Sequence, residues 1–83
     1  MKKITFVEAL AGYRMRIRFD DGLDGVVDLS DMVGKGVFQS WNDPQRFAQV
    51  SIDPATHTVC WPGGIDLCAD SLHQEIAEQH KAA

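Results

Sequence analysis

The chain has 83 residues, 45% of them apolar, and its twelve Asp and Glu against eight Lys and Arg leave a formal net charge of −4. That is enough to fill one modest core and no second, so residues 1–83 read as a single domain whose small size makes a covering partner or a homodimer the expectation. The acidic balance excludes broad electrostatic attraction to nucleic acid, leaving only a local patch able to act that way.

The N-terminal segment Met1-Lys2-Lys3-Ile4-Thr5-Phe6-Val7-Glu8 has a basic start but meets Glu8 before any long apolar run, which predicts neither a signal peptide nor a membrane span and a cytoplasmic protein. Cys60 and Cys68 are too few for a disulfide framework, and both read as free thiols.

Residues 2–10 read as a strand. Tyr13-Arg14-Met15-Arg16-Ile17-Arg18-Phe19 then alternates apolar and cationic residues, which predicts a half-buried strand with Tyr13, Met15, Ile17 and Phe19 inward. Asp20-Asp21-Gly22 makes a three-residue hairpin loop, and Leu23–Leu29 returns antiparallel. That loop sets a register of Phe19 with Leu23, Ile17 with Gly25 and Met15 with Val27. On the other face it sets Arg18 opposite Asp24, Arg14 opposite Asp28 and Arg16 opposite Val26.

Leu29 to Gly34 predicts a single helical turn with Ser30 as its cap, and Gly34-Lys35-Gly36 a flexible link. Asn42-Asp43-Pro44 supplies a cap and a first-turn proline for a short helix near Gln45–Ala48, with Phe38, Trp41 and Phe47 as core anchors. Gln49–Ile52, the turn Asp53-Pro54-Ala55-Thr56 and His57–Trp61 form a second hairpin, pairing Val50 with Val59, Ala48 with Trp61 and Ile52 with His57. Pro62-Gly63-Gly64 turns into a short strand at Ile65–Leu67. Ser71 with Gln74 fits a capping box for a C-terminal helix running to about His80, with Leu72, Ile76 and Gln79 on one face. The expected fold is α+β: a small antiparallel sheet from two β-hairpins, one or two short helices between them, and a C-terminal helix.

Few residue sets suggest chemistry. His57, Cys60, Cys68 and His73 include zinc-ligand types, but their spacing matches no zinc motif, and along a strand residues 57 and 60 point to opposite faces. Cys68 and His73 straddle the strand-to-helix junction, yet lack an orienting third group. Gly34-Lys35-Gly36 lacks the spacing of a phosphate loop, and Asp20, Asp21, Asp24 and Asp28 lack that of a calcium loop. His73 and His80, two helical turns apart, read as solvent-facing. No catalytic residue, metal or cofactor is therefore expected.

Two surfaces stand out. Arg14, Arg16 and Arg18 form a row about 7 Å apart, able to track phosphates or an acidic protein surface. Cross-strand Asp24 and Asp28 favour a charge-paired face, with Arg16 left over to meet a partner. The second surface is Trp61-Pro62-Gly63-Gly64-Ile65-Asp66-Leu67. It reads either as a tight turn over a core Trp with a surface Asp66, or as a binding edge where Pro62, Gly63 and Gly64 leave backbone groups free for another chain.

With that segment following the second hairpin, nearly the whole chain resembles a small prokaryotic family of unknown function, DUF2442. The family's Asp-Gly turn is met by Asp21-Gly22, its hydrophobic strand by the run into Asp28-Leu29, and its Phe near a short helix by Phe47. Its closing Trp-Pro-Asn-Gly-x-Asp-Leu is met by residues 61–67, with Gly63 in place of Asn, and both residues tolerate positive φ. The resemblance implies an α+β domain found alone or fused ahead of a helix-turn-helix domain, with genes often beside that of another small protein in toxin–antitoxin-like pairs, and no established catalytic residues. After residues 71–80 there is no room for a helix-turn-helix, so DNA binding would require a partner. The expected function is a non-enzymatic protein-interaction module, antitoxin-like in a two-protein system. The alternative is a nucleic-acid-associated accessory domain using the arginine row.

Overall fold

The computed structural model describes residues 2–81, with Val37 and Lys81 described by their backbone alone. The architecture is α+β. Six strands divide into two antiparallel three-stranded sheets, ordered β1-β2-β3 and β4-β5-β6. The first holds β1 (Ile4–Leu10), β2 (Arg14–Phe19) and β3 (Asp24–Asp28), and the second holds β4 (Ser51–Ile52), β5 (Val59–Trp61) and β6 (Ile65–Asp66). Two 3₁₀ segments, Ser30–Met32 and Gly36–Asn42, and the short α1 (Pro44–Phe47) connect them, and α2 (Ala69–Lys81) closes the fold. The sheets meet where the Ile4 N–H donates to the His57 carbonyl at 2.8 Å.

The first sheet follows the alternation. Met15 pairs with Val27, Ile17 with Gly25, Arg14 with Asp28, Arg16 with Val26 and Arg18 with Asp24, as the loop length predicts. Met15, Ile17, Phe19 and Val27 are buried. Tyr13 sits outside the strand at φ 59 in the β1–β2 turn, its ring half-buried and edge-on to Phe47 at 5.2 Å. On β1 the register slips between Ile4 and Phe6, where Ile4 pairs with Phe19 and Phe6 with Arg18. This bulge at Thr5 resets the two-residue period so that Ile4 turns inward and is 2% exposed.

The second hairpin departs from expectation. Ser51 pairs with Cys60 and Ile52 with Val59, two residues away from the count that matched Val50 with Val59. Its causes lie at both ends. The N–H groups of Ala48, Gln49 and Val50 bond back to the carbonyls of Pro44, Arg46 and Phe47, so these residues stay with the end of α1 and cannot start a strand. The loop is longer because Asp53 and Thr58 close it through Asp53 N–H to the Thr58 carbonyl at 2.9 Å, with His57 inside it at φ 57. The Asp53 carboxylate holds the loop by accepting from the Ala55 N–H at 2.8 Å. A slip of two keeps the faces, so Val59 and Trp61 still point into the core.

Helix caps differ too. Asp43 caps α1 as expected, accepting from the Gln45 N–H at 3.0 Å ahead of Pro44. Ser30 is not a cap: Leu29 holds that place, and Asp28 accepts from the Ser30 N–H at 2.9 Å. Ser71 lies inside α2, which begins at Ala69, so the proposed capping box with Gln74 is not formed. Cys68 precedes the helix instead, and the Leu72 N–H bonds its carbonyl at 3.1 Å.

One core joins these parts. Trp41 is fully buried, with ring centroids 4.7 Å from Trp61, 5.1 Å from Phe47 and 4.7 Å from Phe38. The Trp61 Nε1–H donates to the Phe47 carbonyl at 2.8 Å. Leu72 and Ile76 of α2 pack against this cluster, Ile76 over Gly25.

Candidate interaction surfaces

The outer face of the first sheet is a grid of three rows. Phe6, Arg18 and Asp24 form one, Glu8, Arg16 and Val26 the next, and Leu10, Arg14 and Asp28 the third. The bulge at Thr5 hid Phe6 from the alternation, whereas Val26 was already assigned opposite Arg16. Phe6 and Val26, at 43% and 37% exposure, are the exposed large hydrophobic residues among those described.

The arginines are not partnered row by row. Asp24 takes two of them: Arg16 Nε reaches its Oδ1 at 3.2 Å and Arg18 Nη2 its Oδ2 at 3.1 Å. Arg16 is thus held by a diagonal pair and is not left over, because its side chain spans to the neighbouring row. Arg14 instead donates from Nε to the Ala11 carbonyl at 3.1 Å. The row's three positive charges face the three negative charges of Glu8, Asp24 and Asp28, so the face is close to neutral.

Several carboxylates are held below the ordinary value of 3.8. Asp24 is lowered chiefly by its hydrogen bond from Arg16, with Arg18 adding to it. Asp28 is lowered by Ser30, through its hydroxyl and its N–H. Asp21 is lowered first by the Leu23 N–H and then by His73. Groups with depressed folded-state values stabilise fully above 3.8 and lose that contribution as the pH falls through the folded values. The melting temperature is therefore expected to drop on acidification below that point, and Asp24→Asn to show a smaller drop than wild type in the same series of melts.

Helix α2 lies across this sheet and corrects the reading of His73 as solvent-facing, while His80 is exposed as expected. His73 Nε2 is 2.8 Å from Asp21 Oδ2, and its ring stands edge-on to Phe19 at 4.8 Å. His80 Nε2 lies 3.0 Å from the Asp24 carbonyl, and Gln79 Nε2 donates to the Val26 carbonyl at 3.0 Å. Asp24 and Val26 turn these carbonyls outward on β3, so α2 covers the free rim of the sheet.

The thiols do not come together into a site. Cys60 Sγ lies 3.6 Å from Ser51 Oγ. Cys68 is exposed, and its thiol is lowered by the Ser71 N–H first, then the Ser71 hydroxyl and the Asp70 N–H, as expected at a helix start. His73 turns toward Asp21, so no Cys68–His73 pair is made through its Nε2. Among the described residues no group of three or more His, Cys, Asp or Glu side chains is placed to hold a metal ion.

The segment 61–67 divides by depth. Trp61 is 4% exposed and anchors the turn from below, so its indole is not on the surface. Pro62, Gly63, Gly64 and Asp66 are exposed, with Gly63 and Gly64 at φ 96 and 83. Together with Ser40, Arg46 and Ile65 they line an open groove of about 450 Å³. Arg46 was not legible as part of this site, since it sits in α1, far along the chain. No helix among the described residues is long and apolar enough to cross a membrane.

No curated protein matches the chain. A crystal structure of a Nitrosomonas europaea protein, named as a candidate DNA-binding protein, superposes with a TM-score of 0.75 at 29% identity, over 99% of this chain. The chain spans about half of that protein's length, 52%. The family model for "Protein of unknown function (DUF2442)" matches residues 4–78, and the chain belongs to that family.

Proposed function

We propose that the domain is a non-enzymatic protein-interaction module that binds one specific protein partner, as the antitoxin-like member of a two-protein pair does. The observation that carries this is the outer face of the first sheet, where exposed Phe6 and Val26 flank arginines tied to Asp24. A surface that binds phosphates needs uncompensated positive charge, and this one is balanced. Large apolar side chains beside arginines whose charge is already paired are what protein interfaces are enriched in. The test is purification of the tagged chain from its own host beside a Phe6→Asp, Val26→Asp variant. A single protein recovered by the wild type and lost by the variant supports the reading. Identical recovery by both, or none by either, overturns it.

A second reading, a nucleic-acid accessory domain, is favoured by the naming of the Nitrosomonas europaea relative and by exposed Arg14, whose Nε bond goes to a main-chain carbonyl. It requires a salt-dependent gel shift that Arg14→Ala weakens. The interaction-module reading expects no shift even at low salt.

A further inference from the structure

We infer that the free edge of β6 receives an extended segment of the partner protein as an added strand. This rests on the interaction-module reading and gives its mode of docking.

β6 ends the second sheet, with β5 on one side and no strand on the other among the described residues. The Leu67 N–H bonds the Val59 carbonyl, so residues 65 and 67 point their backbone groups toward β5. By the antiparallel alternation, Asp66 then points its N–H and carbonyl outward. The β3 rim is treated differently. His80 and Gln79 occupy the carbonyls of Asp24 and Val26 there, whereas on β1 the Ile4 N–H alone is shown bonded outward, to His57. A rim that must not pair is covered as β3 is, and among the described residues the outward backbone groups of Asp66 have no such partner.

The surroundings of β6 suit a strand. Asp66 lines the groove beside Pro62, Gly63 and Gly64 and also a second one, about 310 Å³, bounded by Thr56 and Thr58 on one side and by Leu67 to Asp70 on the other. Arg46 borders the first groove and Asp66 borders both, which selects a segment with a carboxylate toward Arg46 and a basic side chain toward Asp66. β6 is only two residues long, so main-chain bonds set the register while these side chains and the groove walls supply specificity.

The test selects phage-displayed random linear peptides on the full-length chain, then measures amide exchange and affinity for a selected peptide. The expected result is slowed exchange at the Asp66 amide and roughly tenfold weaker binding by Asp66→Pro. That proline deletes an outward donor that no sheet bond uses. Circular dichroism checks that Asp66→Pro folds, and Arg46→Glu, expected to weaken binding to a similar degree, is the second variant should it not. Peptides indifferent to both substitutions, or no selected peptide, overturn the inference. Peptides lost with Phe6→Asp but kept by Asp66→Pro overturn it while leaving the interaction-module reading standing, and absence of both peptide and protein partner removes the two together.

Discussion

Trp41→Ala is expected to lower the melting temperature by at least about 12 °C, and to leave much of the chain unfolded at physiological temperature. Removing a buried Trp costs about 3–5 kcal/mol, each worth about 4–8 °C in a domain this small. A chain of this length has about 4–12 kcal/mol in total. Trp41 is where the loss would be greatest, since its ring touches Trp61, Phe47 and Phe38 and so joins the second sheet to α1 and to its own segment, Gly36–Asn42. The same residue holds an unusual donor. Its Nε1–H is buried with no hydrogen-bond partner among the described residues, whereas the Trp61 Nε1–H is bonded to Phe47. Trp41→Phe removes an unsatisfied group whose burial costs about 1–3 kcal/mol, while Trp61→Phe gives up a hydrogen bond that is made, leaving the Phe47 carbonyl with the Val50 N–H alone. Thermal melts should therefore rank Trp41→Phe as the milder of the two, and the reverse order would show that the Trp41 nitrogen is satisfied.

Gly25→Leu is expected to displace α2, with a loss of helical circular dichroism and a destabilisation of about 1–3 kcal/mol or more. Gly25 needs no unusual backbone angle; it needs the absence of a side chain. A Cβ built there would come within 2.5 Å of Ile76 Cγ2 and 3.3 Å of Ile76 Cγ1, and Ile76 is fully buried. The pair can be tested as a cycle. Gly25→Ala and Ile76→Ala each destabilise, the second by about 2–5 kcal/mol. Together they should cost less than their sum by about 0.5–3 kcal/mol, because the new methyl occupies space the isoleucine vacates. Strict additivity would mean that α2 does not sit on β3 as described.

The register of the first hairpin was legible because its signals are local: an uninterrupted alternation on β2 and a three-residue loop together leave one pairing. The second was not. Its strands are two and three residues long, too short for alternation to count against the pull of α1 on residues 48–50 and of the Asp53 loop on His57. The helix start was missed for a similar reason, since Ser71 and Gln74 have the spacing of a cap while Cys68 has no such signature. Of the candidate surfaces, the cross-strand assignment of Arg14, Arg16 and Arg18 was readable, but their hydrogen bonds were not. Long side chains choose among neighbours one row apart, and Asp24 attracted two of them. The groove by Gly63 and Gly64 drew Arg46 from a distant helix, a proximity that only tertiary packing creates.

The two-residue slip of the second hairpin also says which pairings such a domain can exchange. Because strand faces repeat every two residues, a slip of β4 against β5 by two leaves Val59 and Trp61 inside, whereas residues added within the loop between Asp53 and Thr58 leave the pairing itself unchanged. A slip of one would turn both outward unless a bulge absorbed it, as Thr5 does on β1. Parity thus governs the partners two strands can trade, and the loop joining them is free of it.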